Sequence, residues 1–215
     1  MPHMPVSEPL SDRQAMSTPA SAGQPTLILA STSRYRRELL ERLRVPFDIV
    51  RPAVDETPLA NEAPQDTARR LSLAKAQAVA AQFPHSVVIG SDQVADLDGQ
   101  AIGKPGEHER AVMQLTRMSG RVVIFHTAVS VLRLDLGFRQ TLSACARVKF
   151  RQLERAEIEA YLLAERPYDC AGSAKSEALG IALLESIESD DPTTLVGLPL
   201  MRTSTLLRAA GIRIL

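Results

Sequence analysis

Short apolar segments alternate with amphipathic segments along most of the chain. Residues 27–30 and 87–90 are uninterrupted apolar runs, which are typical of short buried strands. Residues 122–134 and 142–150 are rich in β-forming residues and predict an antiparallel pair joined around Gly137. Helical spacing of apolar residues predicts helices over residues 65–82, 107–118, 154–164 and 200–210. This alternation, with some hairpins, indicates an α/β fold in which helices cover a mixed sheet.

A hydroxyl-rich turn and an arginine-rich helix follow the first apolar run. Ser31 and Ser33 lie in the turn, and an apolar helix face begins at Leu39. Ser33 is a suitable N-cap, which places Arg36 and Arg37 in the first helical turn. Cations are unfavourable there, whereas free N–H groups, hydroxyls and guanidinium groups together suit an anion. We expect a phosphate site at this turn; the alternative is a helix whose arginines face solvent.

A carboxylate follows the second apolar run. Asp92 comes directly after residues 87–90, and ligands of open α/β sheets lie beyond the carboxyl ends of strands. If the two strands are neighbours, Asp92 faces the expected anion site. A carboxylate beside a phosphate can hold a metal ion or accept a proton from water, whereas an isolated one at a strand end is more often a turn or capping residue.

Composition and charge limit the possible partners. The chain has 215 residues, of which 45% are hydrophobic and 23% charged, enough for one core or two joined lobes. Its 25 basic and 25 acidic residues give a formal net charge of zero. Nucleic-acid polymers and anionic membranes are therefore not expected as main partners, because proteins that bind them carry a basic excess. A small anionic ligand needs only a local basic cluster.

The cysteines and the N-terminal segment bear on location and domain organisation. Cys145 and Cys170 are too few and too far apart for a disulfide framework or a zinc motif, and two free thiols suit a cytoplasmic protein.

Residues 1–25 are rich in proline and lack both apolar periodicity and the apolar core of a signal peptide. We expect a disordered extension over residues 1–25, followed by a single domain over residues 26–215.

Six short motifs, in order, resemble the Maf family of nucleotide pyrophosphatases. They are Ser31-Thr32-Ser33 with Arg36-Arg37, Asp55-Glu56, Lys75-Ala76, Ile89-Gly90-Ser91-Asp92, Gly103-Lys104-Pro105 and Val196-Gly197-Leu198-Pro199. Each motif is weak alone, but six in order over residues 27–212 are specific. The resemblance implies a Maf-type mixed sheet flanked by helices, with two lobes and a central cleft. It also implies hydrolysis of the α–β phosphoanhydride of a nucleoside triphosphate with a divalent metal, either magnesium, manganese or cobalt.

The same resemblance implies roles for individual residues. Asp92 matches the family's proton acceptor, and Glu56 matches a carboxylate associated with metal and catalysis, so both are the expected metal ligands. Lys104 completes the expected catalytic set. The phosphate-binding residues implied are Lys104, Arg36, Arg37, Ser31 and Ser33. Metal and fixed cations stabilise the charge that builds on phosphate oxygens, while a carboxylate orients and deprotonates water. Without the resemblance, Lys104 and Glu56 would be interpreted as ordinary loop residues.

Three further features resemble the YceF-like branch of this family, which implies 7-methyl-GTP as the favoured substrate. Gln93 follows Asp92 where the branch acting on dTTP and UTP has threonine, residues 170–180 match the branch's Cys-Ala-Gly-Ser-x-Lys-Ser-Glu segment, and Tyr35 precedes the two arginines. Because N7-methylguanine is cationic, we hypothesise that Tyr35 stacks on it, Glu177 accepts its Watson–Crick donors and Gln93 shapes the pocket. Alternatively, Tyr35 packs on the helix and Glu177 forms a loop salt bridge.

Two other functions remain open from the sequence. One is the same reaction on dTTP or UTP, which Gln93 and residues 170–180 disfavour. The other is a nucleotide-binding regulator of septum formation, because family names include septum-formation inhibitor; the intact set of Asp92, Glu56 and Lys104 disfavours a purely binding role. A homodimer is implied by the resemblance alone.

Overall fold

The computed structural model describes residues 24–215, so the predicted extension over residues 1–25 lies almost entirely outside the described residues. The described residues form one mixed sheet with helices on both faces. Its strands are β1 (Leu27–Leu29), β2 (Asp48–Ile49), β3 (Val87–Leu97), β4 (Gln100–Ile102), β5 (Val122–Arg133), β6 (Phe138–Phe150) and β7 (Leu184–Glu188). The helices are α1 (Arg34–Glu41), α2 (Pro64–Ala80), α3 (His108–Met118), α4 (Arg155–Glu165) and α5 (Leu200–Ala209).

The sheet combines parallel and antiparallel pairs, which confirms the predicted mixed α/β architecture. Strand order is β2-β1-β3-β5-β6-β7, and β4 forms a hairpin with β3. β1 runs parallel to both β2 and β3, whereas β3, β5, β6 and β7 pair antiparallel. The two long predicted runs pair around Gly137 as expected, and the Asp98-Gly99 turn takes the positive φ angles that close a tight hairpin.

β3 is much longer than the apolar run over residues 87–90 indicated. It continues to Leu97, so Asp92 lies inside the strand rather than after its end. β5 pairs with β3 up to Asp96, but β1 stops beside Ile89. The polar residues from Ser91 onward, which resemble a strand end in the sequence, therefore begin just after the point at which β1 stops. Asp92 reaches the expected edge of the sheet because β1 is short.

Apolar packing divides the fold into two lobes. In the first lobe, α1 and α5 cover one face of β1, β3 and β5, and a smaller cluster under α2 covers the opposite face. In the second lobe, α3 and α4 pack on the far ends of β3, β5 and β6 around Leu97, Leu115 and Phe150. The lobes share β3, β5 and β6, and the structure shows a cleft where the first lobe gives way to the second. No helix among residues 24–215 is long and apolar enough to cross a membrane.

α2 lies directly against the backbone of β3 at Gly90. A Cβ atom on Gly90 would lie 2.2 Å from the carbonyl oxygen of Ser72 and 2.6 Å from the backbone nitrogen of Ala76. Both distances are far below van der Waals contact, so only glycine permits this approach. The contact sets the position of α2 over the sheet and brings Lys75 to the same side of β3 as Asp92.

Candidate active site

The cleft has a volume of about 860 Å³ and lies where β1 and β2 end beside β3. It brings together nine of the ten site residues predicted from the sequence. These are Ser31, Ser33, Tyr35, Arg36, Glu56, Asp92, Gln93, Lys104 and Glu177. Residues distant in sequence converge here because β1 runs parallel to both neighbours, so the segments after β1 and β2 leave the sheet at the same edge.

The turn after β1 has the local structure expected of an anion site. Ser33 is the N-cap of α1, as predicted, and its hydroxyl oxygen accepts a hydrogen bond from the backbone N–H of Arg36 at 3.4 Å. The hydroxyl oxygen of Ser31 accepts from the N–H of Ser33 at 3.2 Å. Because both oxygens act as acceptors within the turn, both hydroxyl hydrogens can be donated to an anion. The turn thus presents donors at the positive end of a helix.

Arg36 adds a fixed guanidinium to this turn. Its Nε donates to the carbonyl oxygen of Gly197 at 2.9 Å, which holds the side chain against the other wall of the cleft. Burial lowers the pKa of Arg36, and the nearby carboxylates of Asp92 and Glu56 oppose that shift. An arginine remains charged at neutral pH under such a shift, so Arg36 is a preorganised cation for phosphate oxygens.

Arg37 does not line the cleft, contrary to the prediction that paired it with Arg36. Its side chain is 59% exposed and its Nε lies 2.8 Å from Oε1 of Glu41, one helical turn along α1. Consecutive helix residues point about 100° apart, so Arg36 and Arg37 face different directions. The sequence places both in the first turn but does not show which one faces the cleft.

Lys75 joins the two predicted carboxylates and was missed by sequence reasoning as a site residue. Its Nζ lies 2.6 Å from Oδ1 of Asp92 and 3.0 Å from Oε1 of Glu56. Lys75 and Asp92 are buried, whereas the Glu56 side chain is 57% exposed. Lys75 falls on the apolar side of its predicted helix with Leu71 and Val79, and a lysine is almost never buried without a partner. That mismatch and the Lys75-Ala76 motif were the available signals.

Arg51 is a second cleft residue that sequence reasoning left out. It follows β2 by two residues and lines the rim of the cleft as an exposed side chain. Because Ile49 pairs with Leu29, the segments after β1 and β2 lie side by side, and Arg51 adds positive charge on the Ser31 side. Its position follows from strand register, which the short β2 sequence does not reveal.

Tyr35 and Cys170 contact each other in the part of the cleft that the sequence assigned to the base. The Cys170 thiol donates to the Tyr35 hydroxyl oxygen across 3.7 Å, and Nη2 of Arg34 donates to the same oxygen at 2.7 Å. The Arg34 guanidinium carbon also lies 4.7 Å from the centre of the Tyr35 ring. Burial raises the pKa of Tyr35 and raises that of Cys170 to about 11, so both groups are neutral at pH 7.

Gln93 and Glu177 occupy different environments in the same cleft. Nε2 of Gln93 donates to Oγ1 of Thr127 at 2.9 Å and to the carbonyl oxygens of Thr194 and Leu195 at 2.9 and 3.1 Å. Gln93 therefore holds the 194–196 turn that forms one cleft wall. The exposed Glu177 carboxylate accepts a long hydrogen bond from the hydroxyl of Ser176 at 3.4 Å. Within residues 24–215 it has no salt bridge, which removes the alternative interpretation of Glu177.

The chain is similar to known proteins over most of its length. Residues 26–210 match the family model described as Maf, Maf-like protein. The 7-methyl-GTP pyrophosphatase of a Polaromonas species is 64% identical over 92% of each chain. The proteins of that name from Albidiferax ferrireducens and Burkholderia thailandensis are 65% and 61% identical, over 89% and 87% of this chain and 96% and 88% of theirs. A solved HAM1 protein from Coxiella burnetii is 12% identical, with a TM-score of 0.40 over 60% of this chain and 74% of its own. The chain belongs to the Maf family.

Proposed function

We propose that this protein hydrolyses the α–β phosphoanhydride of 7-methyl-GTP and releases 7-methyl-GMP and pyrophosphate. The observation that carries the proposal is the ion-paired group of Asp92, Lys75 and Glu56, which lies in one cleft with the anion-binding turn of residues 31–36. Relatives that are 57–65% identical over most of the chain are named for this reaction. The reaction would remove a modified nucleotide before it is incorporated into nucleic acid.

The chain's own residues can bind the triphosphate and move one proton. Phosphate oxygens accept from the Ser31 and Ser33 hydroxyls and the first N–H groups of α1, and Arg36 and Lys104 balance their charge. Lys75 holds Oδ1 of Asp92, while Oδ2 accepts no hydrogen bond from the described residues. Asp92 Oδ2 therefore accepts the proton of the attacking water as the anhydride bond breaks and pyrophosphate leaves.

The donor set fits a divalent cation that is shared with the substrate. Residues 24–215 contain no cluster of three or more histidine, cysteine or acidic side chains that would bind a metal alone. Asp92 and Glu56 are two carboxylates in one cleft, and magnesium and similar ions bind through one or two carboxylates plus substrate phosphates. Glu56 and Asp92 are therefore the proposed ligands. When bound, magnesium, manganese or cobalt would supply charge for the developing phosphate oxygens.

The base-side residues favour a cationic purine. Tyr35 offers an aromatic surface, and the Glu177 carboxylate lies in the same cleft without a basic partner among the described residues. A positively charged N7-methylguanine gains from both, through cation–π attraction and charge-assisted hydrogen bonds from its Watson–Crick edge. Gln93 supports the pocket by holding the 194–196 turn. An uncharged pyrimidine gains less from this pair.

Two remaining expectations extend the proposal. We place the reaction in the cytoplasm, where the nucleotide pool lies, and the free thiols of Cys145 and Cys170 suit a reducing compartment. A homodimer, expected from the family resemblance, remains a prediction. Gel filtration with light scattering would distinguish a monomer of 23.4 kDa from a dimer.

A pyrophosphate-release panel tests the proposed function. Purified protein is incubated with magnesium, manganese or cobalt and with 7-methyl-GTP, GTP, UTP, dTTP or CTP. We expect the highest kcat/KM on 7-methyl-GTP and formation of 7-methyl-GMP. Preferred turnover of UTP or dTTP would contradict the substrate and retain the reaction. Nucleotide binding without turnover in any metal would contradict the reaction and favour a regulatory role.

Replacing Glu177 with glutamine tests base recognition. The change keeps the size of the side chain but removes the charge and half of its acceptor capacity. We expect kcat/KM on 7-methyl-GTP to fall about tenfold, and the preference over UTP to fall with it, because a charge-assisted hydrogen bond is lost. Glu185→Gln, an exposed change on β7 outside the cleft, is the control. An unchanged preference in the Glu177 variant would refute this role.

Arg36 and Arg37 provide a matched pair of variants at the phosphate turn. Arg36→Gln is expected to raise KM for the nucleotide about tenfold, because it removes a fixed cation from the cleft. Arg37→Gln is expected to change KM less than about twofold, because the Arg37 side chain is solvent-exposed and pairs with Glu41. Steady-state kinetics of both variants at one ionic strength measure the two KM values. Equal effects would show that Arg37 also reaches the substrate.

A further inference from the structure

Two segments of the second lobe form separate parts of the cleft. The Lys104 turn, residues 103–107, connects β4 to α3 and carries Lys104. The base-side loop, residues 170–180, follows α4 and carries Cys170 and Glu177. Under the proposed function, the first segment faces phosphate and the second faces the base. Their relative position therefore decides whether both ends of one nucleotide are bound correctly at once.

Gln114 contacts both segments through one side-chain amide. It lies on α3, is partly buried and does not line the cleft. Its Nε2 donates to the carbonyl oxygen of Gly103 at 3.1 Å, and its Oε1 accepts from the hydroxyl of Ser173 at 2.6 Å. The orientation of the amide follows from chemistry, because a backbone carbonyl only accepts and so requires the NH₂ group.

The contact with Ser173 supports an unfavourable backbone conformation. Ser173 is fully buried with φ of +53°, and Gly172 before it has φ of +72°. A Cβ atom on Gly172 would lie 3.2 Å from Cζ of Phe125, so the loop is pressed against the cleft wall. A non-glycine residue with positive φ persists where surrounding contacts hold it. The hydrogen bond to Gln114 is such a contact.

The middle of the base-side loop has a second, separate anchor at Lys175. Lys175 is 6% exposed, and its Nζ lies 3.3 Å from both Oε1 and the carbonyl oxygen of Glu165 on α4. Its backbone N–H donates to the Tyr161 hydroxyl at 3.0 Å. The loop is thus fixed to α4 at Lys175 and to α3 at Ser173. Of these two attachments, only the one at Ser173 also extends to the Lys104 turn, because the Gln114 side chain bonds to both Ser173 and Gly103 in the part of the chain that the structure describes.

A backbone contact provides a probe of the same junction. The N–H of Gly106, in the Lys104 turn, donates to the carbonyl oxygen of Tyr168 at 3.0 Å. Tyr168 lies just before the base-side loop. If the loop shifts after losing its contact with Gln114, this hydrogen bond weakens, although the described residues show no hydrogen bond between Ser173 and Gly106.

We propose that Gln114 is a positioning residue that couples the Lys104 turn to the base-side loop. This inference rests on the proposed function, because that function assigns the phosphates to the Lys104 turn and the base to the base-side loop. A correctly bound base fixes the loop, and through Ser173 and Gln114 it fixes the carbonyl of Gly103 next to Lys104. Discrimination between bases then appears in kcat as well as in KM.

Two variants separate the halves of the bridge. Ser173→Ala removes the bond to the base-side loop and leaves the Gly103 bond intact. Gln114→Glu keeps an acceptor for Ser173 and removes the donor to Gly103. Gln77→Glu, the same change at an exposed position of α2, is the control. Thermal melts of all three establish that the variants are folded at the temperature of the assays.

Amide hydrogen exchange measures the coupling without turnover. This test therefore remains valid even if 7-methyl-GTP is not the substrate. We expect Ser173→Ala to speed exchange of the Gly106 amide about fivefold, and Gln114→Glu to speed exchange in residues 170–180 similarly. In kinetic assays, Ser173→Ala should lower kcat on 7-methyl-GTP about fivefold and reduce the preference for it over GTP. The double variant Ser173→Ala with Gln114→Glu should have a kcat no lower than that of Gln114→Glu alone. Exchange that changes only around each mutated residue, with additive kinetic losses, would overturn the proposal.

Discussion

Replacing Asp92 with asparagine is expected to lower kcat for pyrophosphate release by about a thousandfold. The variant keeps the shape of the side chain but removes the carboxylate that accepts the proton of water, and such groups contribute about 10² to 10⁴ in rate. It also removes the nearer of the two charges that pair with buried Lys75, at 2.6 Å. Single-turnover assays with 7-methyl-GTP measure the loss directly.

Asp96 supplies the control for this experiment. It lies four residues further along β3, and its Oδ2 pairs with His126 Nε2 at 3.1 Å, outside the cleft. Asp96→Asn changes the same chemical group on the same strand and should leave kcat within about twofold. Calorimetry should show that the Asp92 variant still binds 7-methyl-GTP, because the turn of residues 31–36 is intact. An Asp92 variant that retains a third of its activity would exclude Asp92 as the proton acceptor.

Local features of the sequence were sufficient for most of the fold. Ser33 as N-cap and the strand connection around Gly137 depend on hydrogen bonds and φ angles within a few residues, so their sequence signals are reliable. The length of β3 predicted from its apolar run was too short, because the strand continues wherever a neighbouring strand pairs with it. Polar residues from Ser91 onward resemble a strand end, yet β5 continues to pair with them after β1 has stopped.

The candidate site shows the same division between local and tertiary information. Nine predicted residues line the cleft. The turn of residues 31–36 follows β1, and Asp92 and Gln93 lie on β3 just beyond the point where parallel β1 stops. Arg37 was grouped with Arg36 because sequence spacing does not show which helix face meets the cleft. Lys75 and Gln114 were missed because their partners lie in other elements, on β3 for Lys75 and in two loops for Gln114. Two sequence signals marked Lys75 beforehand, its place in the Lys75-Ala76 motif and its position on a predicted apolar helix face.

Gly90 illustrates how a motif residue can act through packing rather than chemistry. Gly90→Ala is expected to lower the free energy of unfolding by about 3 kcal/mol, because the new Cβ meets backbone atoms that cannot move without displacing α2. For a protein of this size, that corresponds to a fall in Tm of about 10 °C. Displacement of α2 also separates Lys75 from Asp92, so kcat should fall about tenfold below the melting transition.

Two comparisons identify the cause of the loss in Gly90→Ala. Gly103→Ala adds a Cβ where no atom lies within 4 Å, so it should change stability by less than about 0.5 kcal/mol. Adding Ala76→Gly to Gly90→Ala should not restore Tm, because the closest contacts are the backbone atoms Ser72 O at 2.2 Å and Ala76 N at 2.6 Å. Recovery in that double variant would show that the Ala76 methyl group, at 2.9 Å, causes the clash. A Gly90 variant with unchanged Tm and kcat would mean that α2 does not need to lie against β3 to hold Lys75 beside Asp92.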